Sequence, residues 1–391
     1  MSTKPGSDNK VKRSSQGQLI LYHGMKLSTM VKLLKLKPSL RWSRFLRMAL
    51  MPGFGLYNSF WAGVENLLYG QKIRETQLAG PPIFILGYWR SGTTLLHNLM
   101  TLDPRYSFPT LYETIFPWHF LSTETINTKL TGWMVPKSRP MDNVEVHWGV
   151  PQEDEFAICT MCLVSPYTLP LRPFDQQEWT RSFRIEELPE DDRKLWDETM
   201  TLFMKKLTVR SGKPLVMKSP SHTYRVKALL RLFPDAKFVF IARHPFDVFN
   251  SAKHLRATMI EENSLGSPYH PDAEESIIGT FNEAYEAYER DRSLIPAGNL
   301  AEVKYEELAQ DPLREMSRIY AEMNLGGFDE VRRRLEVQLK DHKEYKRNKF
   351  QKDRFWQQQV YDRCRAFYER FGYSGPEQEQ SAPAESSAGV A

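Results

Sequence analysis

Acidic residues are missing from a long opening stretch: between Asp8 and Glu65 the chain carries none. Lys26, Lys32, Lys35, Lys37, Arg41, Arg44 and Arg47 fall in that gap, interleaved with Leu, Met, Trp and Phe. Such a segment suits either an anionic membrane surface or a helical layer packed on the rest of the protein with its cations solvated. Cysteine is scarce. Cys159, Cys162 and Cys364 are the only ones, too few and too unevenly placed for a disulfide framework, as expected of a reducing compartment. The C-T-M-C spacing resembles a redox or zinc pair, yet it lies in an apolar run (Phe156 to Val164) with no second pair to complete a metal site. Buried, inert thiols are the expectation. Long apolar runs are absent too: nothing approaches the roughly eighteen uncharged residues of a membrane span. The opening, MSTKPGSDNKVKRSSQGQ, is polar and charged, so no secretory leader is expected, and no internal repeat is visible. A cytoplasmic location follows, with peripheral contact on the inner membrane face through residues 25–51 as the extension of it.

What is present suits a large α/β chain with appendages. Hydrophobic residues make up 41% and aromatic residues 12%, enough for an ordinary core. The formal net charge of +5 favours an anionic ligand without demanding nucleic acid, and no nucleic-acid partner is expected. Residues 1–18 read as a disordered arm and 19–79 as a basic amphipathic helical extension. Its helices are predicted over about 25–36, 39–51 and 56–76, with breaks near Pro38 and Pro52 and a turn at Gly53–Gly55. From Gly80 apolar strands alternate with helices. Ile83 to Leu86, KPLVMKSP, AKFVFIARHP and NLAEVKYEEL read as strands. Helices follow in HTYRVKALLRLF, from Pro245 to about Thr258 and from about Pro312 to Asn324. Alternation of this kind predicts a parallel sheet with right-handed crossovers. The stretch 105–212, with Trp118, Trp133, Trp148, Trp179 and Trp196, reads as an irregular insertion that shapes an acceptor pocket. The domain runs over 80–375, and 376–391 is expected to be a disordered tail.

The first strand meets a loop, GYWRSGTT, that is nearly a phosphate-binding loop. Gly87 and Gly92 let backbone amides turn inward, and the helix from about Thr93 offers its positive pole to an anion. Thr93 and Thr94 add hydroxyls. The lysine of a nucleoside triphosphatase is missing, since Thr93 stands there, and Arg90 has entered the loop. The strand FVFIA ends in Arg243 rather than in a magnesium-binding aspartate. Eight residues on, Ser251 is placed two helical turns in, able to share a second phosphate with Arg243. A nucleotide with separated 5′ and 3′ phosphates fits that demand; ATP does not.

These residues resemble the sulfotransferases that use 3′-phosphoadenosine 5′-phosphosulfate (PAPS). The resemblance lies in Arg90 before S-G-T-T and in the R-x-P-x-D-x-x-x-S run from Arg243 through Pro245 and Asp247 to Ser251. RPMDNV, PQEDEF, LVMKSPSHT and FPDAKFVFIARHP are similar to the bacterial-type branch related to tyrosylprotein and carbohydrate sulfotransferases. It covers about residues 80–375. It implies an α/β fold with a P-loop-like parallel sheet flanked by helices. It implies sulfuryl transfer from PAPS, as co-substrate and without a required metal, to a hydroxyl or amine of a small-molecule, lipid or carbohydrate acceptor.

The resemblance also implies roles. Arg90, Ser91, Gly92, Thr93 and Thr94 would hold the 5′ end of the nucleotide, and Arg243 and Ser251 the 3′-phosphate. Arg347 and Lys349, in the basic stretch EYKRNKF, belong to a late loop over the adenosine. Lys218 would lie against the sulfonate and leaving oxygen beside Arg90. Glu113 occupies about the place of the family's general base. His222 is a rival base on intrinsic pKa, although another branch carries its histidine two residues after the matching lysine, where Pro220 stands here. The run Glu153, Asp154, Glu155 would line the acceptor site or supply the base. A P-loop kinase-like phosphotransferase and a non-catalytic nucleotide-binding protein at a membrane surface are the alternatives.

Overall fold

The computed structural model describes residues 20–134, 147–172, 175–266, 273–341 and 353–376. The expected arm at 1–18, Arg347 and Lys349, the RPMDNV phrase and nearly all of the expected tail lie outside the described residues.

Four short strands form the sheet: β1 (Ile83–Leu86), β2 (Val216–Lys218), β3 (Lys237–Ala242) and β4 (Leu300–Lys304). Their order is β2-β1-β3-β4 and every pairing is parallel. These are the four strands read from the sequence. Period-two alternation sends Phe84 and Leu86 to one face and Ile83 and Ile85 to the other, and both faces are buried under separate helical layers. That two-sided burial explains why β1 and most of β3 read as apolar runs, while the edge strand β4, LAEVK, alternates buried and half-buried residues. The helices Pro245–Asn263 and Pro312–Glu322 each begin on a proline, whose missing amide costs nothing at a first helical position. Strand order reverses between β1 and β3, so the ligand crevice of such a sheet is expected beyond their carboxyl ends.

The N-terminal extension departs from its prediction. Helix α1 (Leu27–Lys35) is followed by one unbroken helix, α2 (Phe45–Glu75), which runs through Pro52. A proline there removes one ladder bond, and packing of the flanking turns outweighs the loss. Gly53 and Gly55 make no turn. Gly55 is where α1 approaches, since a Cβ at that position would sit 2.7 Å from the Met30 sulfur.

The region 105–212 is less irregular than predicted. Its described part is largely helical, with α3 (Thr93–Met100) leading into α4 (Leu111–Ile115), α5 (Phe120–Thr131), α6 (Glu155–Cys162) and the long helix Glu190–Ser211. Trp179 and Trp196 are buried in the core layer over Phe84, so these two serve packing rather than an open pocket. Extension and insertion are joined by buried polar contacts. Glu65 of α2 pairs with Lys206 at 2.6 Å, and neither side chain is more than 3% exposed. Asn58 donates to the carbonyls of His23 and Met25 at 2.7 and 2.9 Å, and its amide oxygen faces His119 Nε2 at 2.9 Å.

Candidate active site

The loop after β1 is shaped by its glycines. Gly87 has φ +144°, and a Cβ there would meet the Ser91 hydroxyl at 2.6 Å and the Ile241 carbonyl at 2.8 Å. Gly92 has φ +104°, and a Cβ would press on the Tyr305 ring at 2.4 Å. No other residue type fits either place. Arg90 is also left-handed, with φ +71°. A non-glycine residue held there costs about 1–3 kcal/mol, a strain concentrated at ligand-binding sites. Thr93 and Thr94 open α3, which has no side-chain cap at its N-terminus, so its first amides are available to an anion.

The two halves predicted to hold the nucleotide meet at the switch point between β1 and β3. Arg90 Nε donates to Ser251 Oγ at 2.7 Å, and Arg243 Nη1 donates to the Arg90 carbonyl at 3.0 Å. The guanidinium of Arg243 lies 4.4 Å from the Tyr305 ring centroid, which fixes its plane. Ser91 Oγ and Arg243 Nε are buried polar atoms without a hydrogen-bond partner among the described residues. One is a hydroxyl and the other a cationic donor, and two such orphans around one loop fit an anionic ligand that would satisfy them. Sequence reasoning missed Thr223, whose hydroxyl accepts from the Gly87 amide at 2.8 Å, and Tyr305. The only signal for Tyr305 was its place directly after β4.

Lys218 ends β2 beside Ile85 of β1, adjacent to the loop as predicted. The acidic run proves to be a set of three matched pairs. Glu153 Oε1 accepts from Lys218 Nζ at 2.7 Å. Asp154 Oδ2 lies 2.8 Å from His222 Nε2. Glu155 accepts two bonds from Arg225, at 2.7 and 3.3 Å. Asp154, Glu155, His222 and Arg225 are all fully buried. Burial alone would raise the Asp154 pKa, but the charge and hydrogen bond of His222 hold it below its ordinary value. His222 is therefore enclosed with its own carboxylate partner, away from solvent. Only Glu153 of the three retains an open edge, with 15% of its side chain exposed. Tyr167 donates its hydroxyl to Glu153 Oε2 and receives a bond from Trp89 Nε1 at 3.1 Å.

Glu113, expected near the family's base position, has two partners in the structure. It stands at the start of α4, where its Oε2 accepts from the Thr110 amide at 2.8 Å while its own amide donates to Thr110 Oγ1 at 3.3 Å. This is a capping box. Oε1 pairs with Arg210 of the long helix. Burial pushes the Glu113 pKa up to about 7, with Arg210 opposing the shift. Its carboxylate is thus occupied by the beginning of its own helix. Cys159 and Cys162 lie buried in α6, and burial raises both thiols, Cys162 to about 12.

The chain is 33% identical over 349 residues to omega-hydroxy-beta-dihydromenaquinone-9 sulfotransferase Stf3 of Mycobacterium tuberculosis, spanning 88% of this chain and 89% of that protein. The same enzyme of Mycobacterium bovis matches equally. Among solved structures, sulfotransferase STF9 of Mycobacterium avium superposes with a TM-score of 0.62 at 18% identity, over 85% of this chain and 87% of its own. Sulfotransferase STF1 of Mycobacterium tuberculosis gives 0.55 at 17% identity, over 86% of this chain and 90% of its own. These two share the fold, with its parallel sheet between helical layers. The sequence profile described as the Sulfotransferase family matches residues 81–330, and the chain belongs to that family.

Proposed function

We propose that this sulfotransferase takes PAPS as donor and transfers its sulfuryl group to the hydroxyl of a lipid-like alcohol. The observation that carries the donor is the pair of orphaned donors, Ser91 Oγ within a loop that lacks the triphosphatase lysine and Arg243 Nε at the end of the neighbouring strand. The loop amides, Ser91, Thr93 and Thr94 would hold the 5′ end, with Arg90 beside the leaving oxygen. Arg243 and Ser251 would hold the 3′-phosphate. The acceptor class rests on Stf3, whose name gives a hydroxylated menaquinone, and on the similarity of the two chains over most of their length.

In the reaction the acceptor oxygen attacks sulfur as the bond to the bridging oxygen breaks, and adenosine 3′,5′-bisphosphate leaves. Charge gathers on that oxygen, where the Lys218 ammonium and Arg90 are suited to neutralise it. The acceptor proton needs a base. Glu153 is our choice, because it is the partly open carboxylate held against Lys218, and Tyr167 fixes its orientation. Glu113 then serves as the cap of α4.

The test is transfer from sulfur-labelled PAPS to a panel of long-chain alcohols and hydroxylated isoprenoid quinones, read by mass spectrometry. A sulfo group on such an acceptor is the expected result. Heat of binding with adenosine 3′,5′-bisphosphate but transfer only to sugars or peptides would overturn the acceptor class alone. No heat with that nucleotide would overturn the donor as well.

A further inference from the structure

Helix α2 is built inside out. The residues it buries include Gly55, Asn58 and Glu65, while its outward face carries Phe45, Leu46, Leu56, Phe60, Leu67 and Leu68, all exposed. Phe45, Leu56, Phe60 and Leu67 recur at helical spacing on one stripe. From Phe45 to Leu68 no charged residue interrupts that stripe, which extends about 35 Å. Soluble helices place their polar side outward, so the inversion needs a cause. Polar residues inside α2 are satisfied by the pairs with Lys206, His23 and His119 described above; the apolar outside has no such explanation among the described residues. The patch continues onto α5, because Asn127 donates to the Tyr57 hydroxyl at 2.8 Å, and Ile126, Leu130 and Trp133 stand exposed on and beyond that helix.

Charge identifies the occupant. Lys32, Lys35, Lys37 and Arg41 are exposed on α1 and in the segment that leads from it into α2, and no acidic residue precedes Glu65 back to Asp8. A second copy of the chain would set like charges together across an isologous contact. An anionic bilayer would match both the cations and the apolar stripe. Trp42 and Trp133, each 83% exposed, have the amphipathic rings that settle at a membrane interface. No helix among the described residues is long and apolar enough to cross a membrane, so the helix would lie along the surface. Arg44 and Arg47 turn inward instead. Arg44 pairs with Glu261 at 2.7 Å and Arg47 donates to the Glu262 carbonyl at 2.5 Å, which ties this surface to the helix that carries Ser251.

We propose that the outer face of α2, with α1 and the end of α5, is a docking surface for an anionic lipid bilayer. The inference reaches beyond residues 25–51 and does not depend on the acceptor proposed above. Vesicle flotation tests it, with phosphatidylcholine alone and with three parts phosphatidylcholine to one part phosphatidylglycerol. The wild-type chain should float with the anionic vesicles and be released by high salt. Phe60→Glu with Leu67→Glu should stay at the bottom of the gradient. Lys32→Glu with Lys35→Glu should partition about tenfold less or weaker still. All four positions are exposed, so melting temperature and affinity for adenosine 3′,5′-bisphosphate should stay at wild-type values, which separates lost docking from lost folding. Failure of the wild-type chain to float with either composition would overturn the proposal. So would a wild-type dimer in light scattering that Phe60→Glu with Leu67→Glu splits, since the face would then belong to a second copy.

Discussion

If Arg243 holds a 3′-phosphate as proposed, replacing it with alanine should remove a preference for nucleotides that carry one. In the structure its guanidinium is held over Tyr305 and donates from Nη1 to the Arg90 carbonyl, while Nε has no partner among the described residues. Only 18% of the side chain is exposed, so its bonds to a phosphate would form largely out of water. Two charge-assisted bonds from such a group are worth about 3–4 kcal/mol together, or roughly 150- to 900-fold in Kd. Loss of the Arg90 carbonyl bond would loosen the loop as well, but that should weaken nucleotides with and without a 3′-phosphate alike. The informative quantity is therefore a ratio. Calorimetry with adenosine 3′,5′-bisphosphate and with 5′-AMP, on wild type and Arg243→Ala, gives four affinities. The preference for the bisphosphate should fall by about two orders of magnitude, with 5′-AMP changed only a few-fold. An equal loss for both nucleotides would mean that Arg243 merely braces the loop, and the two-phosphate reading would fail.

Three further outcomes follow from the pairs around the site. Glu153→Gln should lower kcat by about 10²-fold or more with nucleotide affinity kept, the range of a lost general base, whereas Glu113→Gln should keep turnover within several-fold; the opposite pattern in labelled-sulfate transfer assays would return the base to Glu113. The pH dependence of stability reports Glu113 separately. Its pKa of about 7 in the folded chain lies above its unfolded value, so its contribution is fully present below pH of about 4.5 and is lost as pH rises through about 7. Urea denaturation at pH 5 and pH 8 should show that decline in wild type and a flatter profile in Glu113→Gln. Glu65→Ala strands the buried Lys206 ammonium and should cost about 3–5 kcal/mol, while Glu65→Leu with Lys206→Met should recover most of it; equal denaturation midpoints for the wild type and Glu65→Ala would refute the assigned cost.

The sheet was legible because its strands are buried on both faces, so β1 and β3 read as plain apolar runs bounded by Gly and Pro. The residues proposed to face the nucleotide were legible for a related reason. Gly87, Gly92, Arg90, Arg243 and Ser251 lie in two short segments whose spacing is fixed by one turn and one helix start. Other features depend on segments distant in sequence. Nothing near Glu153 announces that Lys218, His222 and Arg225 will face it and its two neighbours. Glu113 is expected as a base because its neighbourhood in the chain resembles a family pattern, and the capping box it forms with Thr110, three residues earlier, was not read from the sequence. Pro52 and the glycines beside it read as a break, because local propensity counts the lost amide and not the packing of α1 against Gly55.

The three matched pairs also explain how the carboxylate proposed as base can be held in one place. Asp154 and Glu155 are neighbours of Glu153 in the chain, and each is bound to a cationic or hydrogen-bonding partner from the segment after β2. That fixes the backbone of the acidic run against the strand end where Lys218 emerges. Full burial of Asp154 and Glu155 is costly and weak evidence for added stability. Its consequence is positional: Glu153 cannot drift from Lys218 without pulling two buried pairs apart. Loss of the Arg225–Glu155 pair should therefore affect catalysis as well as folding. In Arg225→Met the buried Glu155 loses its partner and the run can shift. Chains that still fold should show a lower kcat with nucleotide affinity unchanged, and Arg225→Lys should recover part of that loss. An Arg225→Met enzyme that folded and turned over at the wild-type rate would separate the three pairs from the reaction and leave Glu153 to be positioned by Lys218 and Tyr167 alone.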